Sequence, residues 1–109
     1  MLSEVERISL YVGLNDKDTK NQLIASEVAK QVINYVLVKN GLDFTLFECK
    51  GVYTHESGEI VIENSFKIEI LCFNPDSQKP ISKVIESLKV MLNQESIVVT
   101  SESIKSKLA

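Results

Sequence analysis

Residues 43–73 read DFTLFECKGVYTHESGEIVIENSFKIEILCF, two long strand-like runs, Asp43 to His55 and Glu59 to Phe73, joined through Glu56-Ser57-Gly58-Glu59. Taking Ser57-Gly58 as a two-residue loop sets Glu56 opposite Glu59 and assigns both faces of the hairpin. One face then carries Thr45, Phe47, Cys49, Tyr53 and His55 opposite Ile70, Ile68, Phe66, Ile62 and Ile60, with Gly51 opposite Asn64. It is apolar along nearly its whole length. The other face sets Glu48 opposite Lys67 and Leu46 opposite Glu69, with Lys50 opposite Ser65 and diagonal to Lys67 and Glu63. A one-residue slip is expected to bring Lys67 and Glu69 in among the isoleucines, which the cost of burying unpaired charge disfavours. Such one-sided strands need a cover.

The flanking segments supply it. Arg7 to Gly13 alternates Ile8, Leu10 and Val12 against Arg7, Ser9 and Tyr11, the period of a half-buried strand. After the polar loop Leu14 to Asp18, Thr19-Lys20-Asn21-Gln22 has capping-box spacing, so a helix is expected to start there. Its apolar residues Ile24, Val28, Val32, Tyr35 and Val36 recur on one side, with Leu23, Ile33, Leu37 and Val38 widening the sector. Asn40-Gly41 ends it. Asn74 to Pro80 is a turn-rich linker whose second proline fits a helix start. Ile81, Val84, Ile85, Leu88, Met91 and Leu92 then keep helical spacing, with Lys83, Glu86, Lys89 and Asn93 on the opposite side. Ile97 to Thr100 reads as a short last strand, and Ser101 to Ala109 as a flexible polar tail.

The order strand, helix, strand, strand, helix, strand predicts an α+β ferredoxin-like βαββαβ plait. Its four-stranded antiparallel sheet has the order 4-1-3-2, and right-handed crossovers put both helices on one face. Residues 1–109 make a single domain. The uncovered face is expected to carry Phe44, Leu46, Glu48, Lys50, Val61, Glu63, Lys67, Glu69, Leu71 and Tyr11. Its apolar part points to a homo-oligomer packed through the open side of the sheet.

The sequence also narrows the chemistry. With 109 residues, 44% hydrophobic and 25% charged, and a formal charge of -3, the chain is a poor partner for phosphate backbones. Nucleic acid is not expected as a partner. No apolar run is long enough for a membrane span, and the first residues lack the pattern of a signal peptide. A cytoplasmic location and no membrane partner follow as expectations. In the register above Cys49 and Cys72 share a face about 20 Å apart, out of disulfide reach. Each reads as a small buried hydrophobe. His55 is the only histidine, so an imidazole pair within one chain is ruled out. Gly13, Gly41, Gly51 and Gly58 are scattered singly and form no phosphate loop. No cofactor is expected and no catalytic residue is assigned. The candidate site is polar: Tyr11, Glu48, Lys50, Glu63 and Lys67, with Glu69 beside them, placed to hold a small polar ligand or to form cross-strand ion pairs.

The element order resembles that of the PII signalling proteins and the CutA-type trimers. It implies assembly through the sheets and a regulatory role, with a small ligand or a protein as partner. A second likeness is to small bacterial proteins with a Tyr-Val-Gly-Leu strand end, a Gly-x-Tyr strand and a Gly-x-Ile-x-x-Glu-x-Ser strand. Here these are Tyr11-Val12-Gly13-Leu14, Gly51-Val52-Tyr53 and Gly58-Glu59-Ile60 through Glu63-Asn64-Ser65. The sequence thus predicts a non-enzymatic oligomeric binding module. One alternative is a small enzyme whose cavity lies between the facing sheets of a dimer. A second is a CutA-like metal binder using His55, Glu56 and Glu59 of neighbouring subunits.

Overall fold

The computed structural model describes residues 1–109. The alternation seen from Arg7 belongs to a longer strand, β1 (Ser3–Gly13). It is followed by α1 (Ser26–Lys39), β2 (Thr45–Thr54), β3 (Ile60–Cys72), a 3-10 turn at Pro75–Gln78, α2 (Ile81–Met91) and β4 (Val98–Ser106). All strand pairs are antiparallel, and the sheet order β2-β3-β1-β4 is the expected 4-1-3-2 seen from the other edge. This is the ferredoxin-like plait.

Ile8, Leu10 and Val12 of β1 and Phe66, Ile68, Ile70 and Cys72 of β3 face the helices. Ala29, Ile33, Val36 and Leu37 of α1 and Ile81, Val84 and Leu88 of α2 close over them. Burying each large aliphatic or aromatic side chain contributes about 1.5–3 kcal/mol, so this layer supplies most of the driving force for folding. Gly41, at φ +72°, ends α1 as expected. The Leu42 N–H donates back to the Leu37 carbonyl at 3.1 Å, and Leu42 itself is buried.

Four expectations fail, each for a physical reason. The hairpin turns through three residues rather than two: the His55 N–H donates to the Glu59 carbonyl at 2.7 Å, and Gly58 takes φ +88°. That geometry is a three-residue loop with its glycine in the left-handed position. It shifts β2 by one residue, so Phe47 pairs with Lys67, Cys49 with Ser65 and Glu48 with Phe66. Only β2 changes face; β3 keeps Phe66 buried and Lys67 on the open side. The two thiols therefore lie on opposite faces, Cys72 buried and Cys49 half-buried.

The second failure concerns α1, which begins at Ser26 rather than near Thr19. The Asp16 carboxylate takes the backbone N–H groups of Asp18 and Thr19, both at 3.0 Å, and Lys20 adopts φ +65°. Residues 15–22 thus close as a loop before any helix starts. Third, Leu23, Val28, Tyr35 and Val38 are exposed, because the buried stripe follows Ala29, Ile33, Val36 and Leu37. Last, Ser101 to Ser106 is no tail: it extends β4 along β1 to Ser3. Glu6 accepts hydrogen bonds from the Ser101 and Ser103 hydroxyls, and Arg7 Nε donates to Glu102 at 2.9 Å.

Candidate functional site

On the face away from the helices, the register lays side chains in rows across the strands. Gly51 stands beside Glu63; the next row is Cys49, Ser65 and Gly13; the next is Phe47, Lys67, Tyr11 and Val98; then come Thr45, Glu69, Ser9 and Thr100. Small residues in the second row make a floor, and the large ones of the third row make a wall. Above them stand the β1–α1 loop, through Asn15 to Lys20, and Gln94 to Ser96. Together they enclose an open cavity of about 800 Å³.

The loop is held rigidly. Asp16 receives Asn93 Nδ2 at 2.6 Å, the Lys17 N–H reaches the Asn93 carbonyl at 3.1 Å, and Gln94 Nε2 donates to the Asn15 carbonyl at 2.9 Å. Asn93 takes φ +49°, a conformation asparagine tolerates better than most residues. The hydrogen bonds that the Asp16 carboxyl accepts hold it below its ordinary range, that from the Asn93 amide contributing most, with those from the Thr19 and Asp18 N–H groups adding to it.

Glu63 stands at one end of the floor. Its Oε2 accepts the Asn15 N–H at 3.0 Å, tying the loop to the sheet. The carboxylate lies over Gly13 so closely that a Cβ there would sit 2.5 Å from Oε1. Glycine is needed at 13 because the acid occupies the space. Lys67 extends between two rings, 5.9 Å from the Tyr11 centroid and 5.6 Å from that of Phe47, and its Nζ lies 3.9 Å from Glu69 Oε2. Cys49 Sγ is 3.5 Å from Ser65 Oγ.

Of the residues singled out in the sequence, Tyr11, Glu63 and Lys67 come together here. Glu48 and Lys50 border the cavity from the edge strand, but their register places them on the helix face, opposite Phe66 and Asn64. Lys50 Nζ donates to Asn64 Oδ1 at 2.6 Å, and Asn64 in turn donates to Gln22. The expected Glu48–Lys67 pairing does not form, because one-residue displacement of β2 separates them by the thickness of the sheet. Phe47 and Cys49, expected under the helices, take their place on the open side. Of the residues of the shared strand motifs, Tyr11, Gly13, Gly51, Tyr53, Glu63 and Ser65 line this cavity, whereas Val12, Leu14, Gly58 and Ile60 do not. That convergence was the available signal.

At the hairpin tip, His55 Nδ1 lies 3.3 Å from Ser57 Oγ and accepts the Ser57 N–H. The chain does not by itself assemble three His, Cys, Asp or Glu side chains placed to hold a metal ion, at His55, Glu56 and Glu59 or elsewhere.

Fold and cavity define a PII-like plait with a polar site on its open sheet face. Over residues 7–108 the chain matches the family described as "Protein of unknown function (DUF3574)", and it belongs to that family. Among solved structures it is similar to a phage SAM lyase in complex with S-methyl-5'-thioadenosine, at 23% identity and a TM-score of 0.64, covering 95% of this chain and 90% of that one. It is also similar to the GlnK–ATP complex of B. subtilis, at 17% identity and a TM-score of 0.56, covering 95% and 84%. A third is CPII bound to ADP, AMP and acetate, from Thiomonas intermedia K12, at 12% identity and a TM-score of 0.56, covering 99% and 93%. The expected likeness to the PII proteins is thereby found in the fold. No curated protein matches the chain.

Proposed function

We propose that this protein is a homo-oligomeric, non-enzymatic binding module whose open-face cavity takes a small adenosine-containing molecule. The carrying observation is the cavity itself: about 800 Å³, within the usual range for small-molecule sites, with a buried-edge carboxylate at one end and two rings at the other. Each of the three similar structures holds at least one adenosine-containing molecule, which supports the ligand class. Binding is favoured over turnover by the way the polar groups are occupied. Glu63 is held by a backbone N–H and Lys67 by two rings, with no histidine among the lining residues.

Assembly is supported by the open face, where Tyr11, Phe47 and Val98 are 41%, 44% and 61% exposed in one row. A second copy over that row removes it from water and closes the cavity. No helix is long and apolar enough to cross a membrane, and the unpaired thiols fit a reducing compartment such as the cytoplasm.

Calorimetric titration with S-methyl-5'-thioadenosine and with ADP, alongside light scattering, tests both parts. The expected results are saturable binding of at least one, lost in Tyr11→Ala with Phe47→Ala, and a mass of two or more chains. A monomer that binds neither would overturn the proposal.

A further inference from the structure

We infer that the cavity selects an uncharged nucleoside over its phosphorylated forms, an inference that rests on the adenosine-binding role just proposed. The first ground is the state of Glu63. It is half-buried, receives one peptide N–H through Oε2, and forms no ion pair, so Oε1 has room for a further donor from a ligand. A vicinal diol offers two such donors. A phosphate offers only like charge.

The second ground is the supply of cations. The lining residues hold four lysines, Lys17, Lys20, Lys50 and Lys67, and four acids, Asp16, Glu48, Glu63 and Glu95, with no arginine. Two of the lysines are engaged elsewhere: Lys20 Nζ donates to the Lys17 carbonyl at 2.7 Å and Lys50 Nζ to Asn64 at 2.6 Å. Lys67 stands in the wall, but its charge is shared with two rings and Glu69. Tight phosphate sites concentrate arginine forks, an excess of lysines over acids or a glycine-rich loop of free N–H groups; here there is no arginine and no such loop, and the four lysines are matched by four acids.

The third ground is dimension and chemistry. Glu63 and Lys67 lie four residues apart on β3, about 13 Å between their Cα atoms. The Glu63 carboxylate lies over Gly13, and the small side chains of Cys49 and Ser65 beside it leave room on the way to Lys67. A nucleoside bridges such a trough with its hydroxyls at the carboxylate and its base against Tyr11 and Phe47, where stacking stabilises a flat ring.

The experiment is equilibrium titration of the full chain with adenosine, S-methyl-5'-thioadenosine, AMP, ADP and ATP at low and moderate salt. Affinity is expected to fall at least about tenfold on adding the first phosphate, since a like charge beside Glu63 costs binding. Glu63→Gln keeps a carbonyl oxygen for the Asn15 N–H, so the fold is retained, which circular dichroism checks. It is expected to weaken nucleoside binding and to narrow the gap between adenosine and AMP. AMP or ATP binding as tightly as adenosine overturns the inference and leaves the proposed binding role standing. Failure of all five compounds to bind overturns both.

Discussion

Strand β3 passes through two environments with the same kind of residue in each. From Phe66 to Cys72 every second side chain lies under the helices, with Phe66, Ile68, Ile70 and Cys72 at most 6% exposed. From Ile60 to Ile62 the same alternation, on the same face, leaves the isoleucines 66% and 62% exposed, beside Val52 at 65%. The hairpin continues beyond the reach of α1 and α2 as a two-stranded arm, along a molecule 50 Å in its longest dimension. Hydrophobic pattern determines which face a side chain takes; the neighbouring layer determines whether that face is dry.

The sharpest way to break the comparison is to truncate one residue from each half. Phe66→Ala should destabilise the chain by about 3–5 kcal/mol, as loss of a fully buried aromatic does. Ile62→Ala should cost less than about 1 kcal/mol, the usual scale for an exposed position. Chemical denaturation at two protein concentrations measures both. A large loss for Ile62→Ala that grows on dilution would mean that a second copy covers the arm.

The same contrast explains what the sequence made legible. The faces of β3 could be read because Phe66, Ile68 and Ile70 alternate with Lys67 and Glu69, and neither set tolerates the other's place. Strand β2 offered no such test: Phe47, Cys49 and Tyr53 on one parity and Leu46 and Val52 on the other satisfy either side of an edge strand. Its face was then decided by the turn, where Gly58 selects a three-residue loop. That single residue moved Glu48 and Lys50 off the site and brought Phe47 and Cys49 onto it. Strand β4 was half hidden because Ser101 to Ser106 has little apolar period; backbone pairing with β1 and the Glu6 and Arg7 side-chain bonds hold it. Tyr11, Glu63 and Lys67 were legible because β1 and β3 are central strands whose register the core fixes.

Two glycines beside Glu63 carry the comparison into the site. Gly13→Ala puts a Cβ within 2.5 Å of the carboxylate, which must swing away and release the Asn15 N–H. The expected cost is about 1–3 kcal/mol, the scale of a hydrogen bond to a charged group. Gly51→Ala comes no nearer to Glu63 than 3.6 Å at Cγ and 3.9 Å at Oε1, ordinary contacts, so it should change stability by less than about 0.5 kcal/mol. Thermal unfolding of both variants separates a carboxylate locked over Gly13 from one that is free to move.

Acid titration probes the loop that walls the cavity. Asp16 and Glu6 are both held below the ordinary carboxylate range, Asp16 chiefly by Asn93 and Glu6 chiefly by the Ser101 hydroxyl. With the folded value depressed, the unfolded chain takes up protons first as pH drops. Each therefore contributes stability that is fully present above its unfolded pKa, about 4, and is lost as pH falls through the lower folded value. Asp16→Asn should flatten the loss of stability below about pH 4, measured by denaturation midpoints across that window. An unchanged slope would mean the loop opens before Asp16 protonates.

The smallest effect concerns the thiols, which the one-residue shift of β2 put in different environments. Cys72 is buried on the helix face, and burial together with the nearby Glu6 charge pushes its pKa up, so less reactive thiolate is available. Cys49 is half-buried on the open face beside Ser65, within the cavity. With a disulfide reagent on the native protein, Cys49 should react first and Cys72 only as the chain unfolds, and Cys49→Ser should abolish the fast phase. If ligand occupies the floor between Glu63 and Lys67, its addition should slow Cys49 while leaving Cys72 unchanged. Equal rates at the two positions would instead restore a register in which both thiols share one face.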